Sequence, residues 1–286
     1  MLDVSFDRPA ATPRDAATVL VLRNVPGGIE IFCVKRHVKS GFLGGAVVFP
    51  GGKVDESDRD ASWKALTTPA PRFGEEDADK ARAFGIAACR EALEEAALLL
   101  TRGPALAQAD IVALRGALAR HEVSLRDALA DRGLSLDLGT LRPFARWVTP
   151  VAETRRFDTR FFLAVAPSGQ VGAHDDHETT ASFWASPADV LSRFDRGEVE
   201  LAPPTHRSLE ILTNARSSDD AVRAAAACSL DPICPKLVHV VEPGLTTVGL
   251  VLPGDPEHEV PEERVAGHSR FVLREGKWRP EPAPRP

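Results

Sequence analysis

Two short runs near the start, residues 17–23 (ATVLVLR) and 29–36 (IEIFCVKR), are dense in β-branched and aliphatic side chains and are separated by Asn24-Val25-Pro26-Gly27-Gly28. That pattern predicts a β-hairpin. A third apolar run, residues 46–49, stops at Pro50-Gly51-Gly52, the punctuation of a strand leaving its sheet into a loop. Residues 56–80 are polar, carry Pro and Gly, and read as a surface insertion. Residues 81–100 are strong helix formers closed by Thr101-Arg102-Gly103-Pro104, so the spacing predicts a helix there. Within it Ile86, Leu93, Ala97 and Leu100 recur on one side, while Arg90, Glu91, Glu94 and Glu95 occupy another.

Two further helical patterns cover residues 109–121 and 124–132, and strand patterns return at 144–149, 159–165 and 182–184. Ser186 followed by Pro187 has the form of a helix cap with proline in the first turn. Another helical stretch runs from Pro203-Pro204-Thr205 toward Cys228, and the tail alternates three apolar runs, 237–241, 246–252 and 270–274, with Pro and Gly turns. Strands interleaved with helices predict an α/β fold. The organisation expected is one elaborated domain over 1–286, with a core at about 17–210, insertions at about 59–80 and 105–138, and a helix-plus-strand extension over about 211–286.

Composition narrows the function. With 286 residues and 43% apolar content the chain can bury one good core, and 27% charge argues against wholesale disorder. No apolar stretch reaches the roughly 18 residues of a membrane span, and the first fifteen residues lack a secretory signal's apolar segment, so a cytoplasmic setting is expected. A net charge of −6 gives no basic footprint for long nucleic acids. The expected partner is a small nucleotide-type molecule, and a homodimer stays open. Cys33, Cys89, Cys228 and Cys234 stand at irregular spacing with no Cys-x-x-Cys pair, which points to buried thiols instead of a zinc site or disulfides.

Three glutamates at i, i+3 and i+4 repel one another on a helix. A cation offsets that repulsion, and hard divalent ions such as Mg²⁺ or Mn²⁺ prefer oxygen ligands. Arg90, four residues before Glu94, can pair with a carboxylate and hold it. The alternative reading of such a string is a solvated helix face.

Context decides between them. Phe49-Pro50-Gly51-Gly52-Lys53-Val54-Asp55, followed by Arg90-Glu91-Ala92-Leu93-Glu94-Glu95-Ala96-Ala97-Leu98, resembles the Nudix box, Gly-x5-Glu-x7-Arg-Glu-U-x-Glu-Glu-x-Gly-U with U aliphatic. Counting from Gly52, the box's first glutamate falls at Asp58, and 31 residues instead of seven separate it from Arg90. In the unbroken register that position would be Arg82, so Asp58 or one of Glu75, Glu76 and Asp77 must serve. Ala97 replaces the late glycine. Interrupted boxes of this kind resemble the branch that includes animal peroxisomal coenzyme A diphosphatases. Gly45-x3-Phe49-Pro50-Gly51-Gly52 is similar to part of a coenzyme A motif whose arginine is here Gly41.

The resemblance implies a Nudix α/β/α sandwich with a mixed sheet and metal-dependent hydrolysis of a diphosphate linkage, with coenzyme A or an acyl-coenzyme A as substrate. Its products would be 4′-phosphopantetheine, or its acyl form, and adenosine 3′,5′-bisphosphate. Other Nudix substrates (ADP-ribose, NADH, a nucleoside triphosphate) and a non-catalytic nucleotide-sensing module are the alternatives. It implies Mg²⁺ or Mn²⁺ held by Glu91, Glu94, Glu95, the Gly52 backbone and Glu178, with Arg90 in support and Glu95 or Glu91 as proton acceptor. Gly51, Gly52, Arg36 and Lys39 are the candidates for substrate binding. Glu178 is chosen from an acidic turn with Asp175 and Asp176. Glu153, Arg155 and Arg156 lie between strands, where they are read as a surface loop with substrate recognition as the alternative, and His174, His177 and His206 lack metal-ligand spacing.

Overall fold

Alternation along the first long strand determines the layering: Ala17, Val19 and Val21 enter one buried cluster and Leu20 and Leu22 another. Successive strand side chains point to opposite faces, so a strand apolar on both must be covered on both. The computed structural model describes residues 11–37, 45–74, 76–174 and 179–283. Its elements run β1 (Arg14–Val25), β2 (Gly28–Arg36), β3 (Val47–Val48), β4 (Gly51–Lys53), α1 (Ala78–Ala96), β5 (Thr101–Arg102), α2 (Gln108–Ala119), α3 (Leu125–Ala130), β6 (Ser135–Leu136), β7 (Arg142–Val148), β8 (Phe157–Val165), β9 (Thr179–Ala185), α4 (Pro187–Asp195), α5 (Pro203–Leu212), α6 (Ser218–Ala226), β10 (Pro232–Ile233), β11 (Lys236–Glu242), β12 (Leu245–Val251), β13 (Arg270–Arg274) and β14 (Lys277–Glu281).

The main sheet is mixed, in the order β10-β7-β8-β1-β2-β3, with β4 paired to β1 and β9 to β2. β1 runs parallel to β8, with Val19 opposite Phe162, and antiparallel to β2 and β4. One face carries α1, with Ile111 and Leu114 of α2 and Leu125 and Leu129 of α3 in the same cluster. The other carries Val190 and Phe194 of α4, Leu209 and Leu212 of α5, and Ala221 and Ala225 of α6. This is the expected α/β/α sandwich. The hairpin forms as predicted, turning at Gly27, whose φ of +91° suits glycine. Ser186 caps α4 by accepting from the Asp189 N–H at 3.1 Å, with Pro187 in the first turn.

Four expectations are corrected. The helix predicted over 81–100 runs from Ala78 to Ala96, because Asp77 caps its start and Ala97 turns left-handed at φ +50°. The Leu98 N–H closes that turn on the Ala92 carbonyl at 3.0 Å. Ala97 thus occupies a conformation that ordinarily favours glycine. Next, the segment read as a surface insertion is pinned inward, since Trp63 and Phe73 are buried in the α1-side cluster and Phe73 meets Phe162 edge-on at 5.2 Å. The helical stretch after Pro203 is two helices, broken before Ser217, which caps α6. Finally, the tail contains five strands in place of three: β10 joins the main sheet beside β7, and β11 to β14 form an antiparallel four-stranded sheet. Leu250, Leu252 and Phe271 of this region pack into the cluster under α4 to α6.

Candidate active site

β4 and the last turns of α1 face each other across a gap too narrow for side chains on the strand. A Cβ on Gly52 would lie 2.3 Å from Oε1 of Glu91, and one on Gly51 would lie 2.7 Å from the Ala17 carbonyl oxygen. Glycine at both positions brings backbone and carboxylates together. The Gly51 N–H donates to Oε2 of Glu95 at 3.0 Å.

Arg90 organises the remainder. Its Nε and Nη2 donate to the two oxygens of Asp58 at 3.2 and 3.0 Å, and Nη2 also reaches the Lys53 carbonyl at 2.9 Å. Its Nη1 donates to Glu91 at 2.7 Å and to Glu94 at 2.9 Å. Burial works against a charged guanidinium, yet Asp58, Glu91 and Glu94 outweigh it and hold Arg90 well above its usual range. Asp58 is buried and also accepts from the Asp55 N–H at 2.9 Å. Of the acids offered for the interrupted box, Asp58 is thus the one brought to Arg90 among the described residues. Glu76 pairs with Arg160 at 3.4 Å, Asp77 caps α1, and Glu75 lies outside the described residues.

The glutamates do not form a solvated helix face. Glu91 and Glu95 are only 8% and 4% exposed, while the Glu94 side chain is 42% exposed. Burial, opposed by Arg90 and reinforced by Asp58 and Asp55, raises the Glu94 carboxyl above its usual range. All three line a cleft of about 650 Å³ with Gly51, Gly52 and Arg36. Nε of Arg36 is a buried donor without a hydrogen-bond partner among the described residues. Lys39 and Glu178, with Asp175, Asp176 and His177, lie outside the described residues.

The loop read as surface contributes to the cleft: Glu153, 6% exposed, and Arg155 both line it, because the turn after β7 folds back over the sheet. Trp147, Phe157, Phe161, Pro203, Leu250 and Trp278 line it as well. No sequence signal marks the last two, which lie far from the box. His206 is buried between the Phe194 and Phe271 rings, at 5.0 and 5.6 Å, and takes no part in the cleft. Cys33 and Cys89 are buried, with burial raising the Cys33 thiol to about 12, whereas Cys228 and Cys234 are half-buried. No described helix is long and apolar enough to cross a membrane.

A family profile described as the NUDT19 Nudix domain matches residues 71–212. The acyl-coenzyme A diphosphatase NUDT19 of Homo sapiens is 30% identical over 80% of this chain and 72% of its own length. The Gallus gallus protein of the same name is 28% identical over 85% of this chain and 79% of its own. A crystal structure of a NUDIX hydrolase from Alicyclobacillus acidocaldarius is similar with a TM-score of 0.60 and 34% identity, covering 74% of this chain and 96% of that one. With the interrupted box assembled around Arg90, these likenesses establish that the chain belongs to the Nudix hydrolase family.

Proposed function

We propose that this chain hydrolyses the diphosphate linkage of coenzyme A or an acyl-coenzyme A with Mg²⁺ or Mn²⁺ at Glu91, Glu94 and Glu95. The observation that carries this reading is one large cleft lined by all three carboxylates, with Glu91 against Gly52 and Glu95 accepting from the Gly51 N–H. The names of the human and chicken relatives supply the substrate class.

The donor set fits a hard divalent ion, being carboxylate oxygen with a glycine backbone alongside. Among the described residues no group of three or more His, Cys, Asp or Glu side chains already encloses an ion site. Arg90 holds one oxygen of Glu91 and one of Glu94, so the second oxygen of each could ligate an ion while the guanidinium keeps its place. A bound ion would neutralise charge on the diphosphate and make water a better nucleophile.

The chain's own residues do the rest. Glu95, fixed by the Gly51 N–H, or Glu91, fixed by Arg90, accepts the proton of the attacking water. Arg90 positions Glu91 and Glu94. Arg36 supplies a charge-assisted hydrogen bond to a phosphate, with Lys39 as second cation and Glu178 as an additional acidic ligand.

The test is a panel of coenzyme A, dephospho-coenzyme A, ADP-ribose, NADH and a nucleoside triphosphate, each with Mg²⁺, Mn²⁺ or a chelator. Metal-dependent cleavage of coenzyme A, lost a hundredfold or so in Glu95→Gln at unchanged Tm, supports the reading. Turnover of another member of the panel alone overturns the substrate, and nucleotide binding without any turnover replaces catalysis by sensing.

A further inference from the structure

The cleft is unevenly charged. Its charged lining residues come from β1, β2, the β4 region, α1 and the turn after β7, namely Arg14, Arg36, Lys53, Asp55, Arg90, Glu91, Glu94, Glu95, Glu153 and Arg155. The wall built by the start of α5 and the C-terminal strands has none: it consists of Ala202, Pro203, Pro204, Thr205, Pro235, Leu250 and Trp278. A helix N-terminus ordinarily offers backbone N–H groups to an anion. Here Pro203 and Pro204 occupy the first two helical positions, and neither has an N–H to give. This wall therefore presents an uncharged, largely apolar surface, with the Thr205 hydroxyl and the Trp278 indole N–H as its side-chain donors.

The wall is also firmly placed. Lys277 and Arg279, on either side of Trp278, tie β14 to the layer below: Lys277 pairs with Glu200 at 2.8 Å, and Arg279 donates to the Phe194 carbonyl at 3.2 Å with its guanidinium 4.7 Å over the Phe194 ring. Leu250 is buried beneath, in the same cluster as Phe161 and Trp147. The half-buried Trp278 thus lines the cleft from a strand tied on both sides of it to the layer below.

We infer that the C-terminal sheet is a specificity wall, in which Trp278 over Leu250 and Pro203 receives the apolar acyl arm of the substrate while the diphosphate lies at Glu91, Glu94 and Glu95. This rests on the reading of the cleft as a site for acyl-coenzyme A. A diphosphate bound at α1 leaves two arms to place; the phosphorylated nucleoside arm needs cations, which only the other walls provide, so the uncharged wall falls to the acyl arm.

The experiment compares kcat/KM for free, acetyl-, octanoyl- and palmitoyl-coenzyme A in the wild type, Trp278→Ala and Trp278→Phe, alongside calorimetric binding of octanoyl-coenzyme A without added metal. The expected result is that Trp278→Ala loses about tenfold more kcat/KM for octanoyl- than for free coenzyme A, and that Trp278→Phe restores most of the difference. Equal losses on all four substrates, or none, overturn the wall while leaving the hydrolase reading intact. If the wild type turns over no member of the series yet binds octanoyl-coenzyme A more tightly than Trp278→Ala does, the wall stands and the reaction assigned to the cleft fails. Absence of both turnover and Trp278-dependent binding overturns the two together.

Discussion

Gly51 and Gly52 are neighbours in β4 but meet different obstacles. A methyl group on Gly51 collides with backbone, the Ala17 carbonyl at 2.7 Å and the Thr18 Cα at 2.9 Å, which cannot move without parting β4 from β1. Gly51→Ala is expected to destabilise the fold by about 2 kcal/mol, read by chemical denaturation. The three atoms nearest a methyl on Gly52 all belong to the Glu91 carboxylate, the far end of a flexible side chain, so Gly52→Ala should keep its Tm yet lose on the order of a hundredfold in kcat, because Glu91 is displaced from its place beside Arg90. A Gly52→Ala enzyme with wild-type turnover would remove Glu91 from the machinery. Arg36 yields a prediction on substrate instead. Arg36 lines the cleft with an Nε that has no partner among the described residues, which suits the 3′-phosphate that coenzyme A has and dephospho-coenzyme A lacks. Arg36→Ala should raise KM for the former by about 1–3 kcal/mol more than for the latter, and equal effects on both would exclude that contact. At this scale Glu91, Glu94 and Glu95 were legible because their spacing is itself a signal. Asp58 could be named but not chosen, since the interruption left four acids equivalent until folding carried one of them to Arg90.

Helix α1 was legible through its alanine-rich period, yet its end was not. The residue types Ala96-Ala97-Leu98 do not announce a left-handed residue, which only the box's glycine at position 97 hints at, and Leu98, Leu99 and Leu100 continue an apolar run that belongs to a buried segment beyond the helix. Gln170 secures that segment by exchanging hydrogen bonds with both backbone groups of Leu99, at 2.7 and 3.1 Å. Ala97 provides the test. Glycine there would relieve left-handed strain of about 1 kcal/mol but uncover a buried methyl contributing about as much, so Ala97→Gly is expected to be close to neutral. Valine adds both bulk and a β-branch at positive φ, and Ala97→Val should cost about 2 kcal/mol or more in urea denaturation. A valine variant as stable as the wild type would mean that the helix does not turn at residue 97. The segment between Asp58 and α1 misled for the opposite reason: its average is polar, but two aromatics, Trp63 and Phe73, decide where it lies.

At the scale of the whole molecule, the cleft exists because two layers meet over it, α1 from one face of the sheet and the C-terminal strands from the other. The second contribution was hidden from the sequence, since β14 contains Pro280 and three charged residues and carries no alternation to read. What fixes those strands is a buried charge pair. Asp255 and Arg270 are 2% and 4% exposed and bridge at 2.6 Å, with the Ser269 hydroxyl and the Glu257 N–H also donating to Asp255. Burial alone would raise the Asp255 carboxyl, but the hydrogen bonds from Arg270, Ser269 and Glu257 outweigh it and hold it below its usual range. A carboxyl depressed on folding contributes stability that is fully present above the unfolded value near 4 and is lost as pH falls through the folded one. Asp255→Asn leaves the Arg270 guanidinium buried with only Glu257, at 2.9 Å, as a charged partner, and should cost about 3 kcal/mol at neutral pH. The same variant should lose part of the wild type's decline in stability below about pH 4, because the titrating group is gone. Urea denaturation at pH 7 and at a series of acid values measures both effects. Parallel pH profiles for the two proteins would show that the titration of Asp255 does not stabilise its bridge to β13 within the C-terminal sheet.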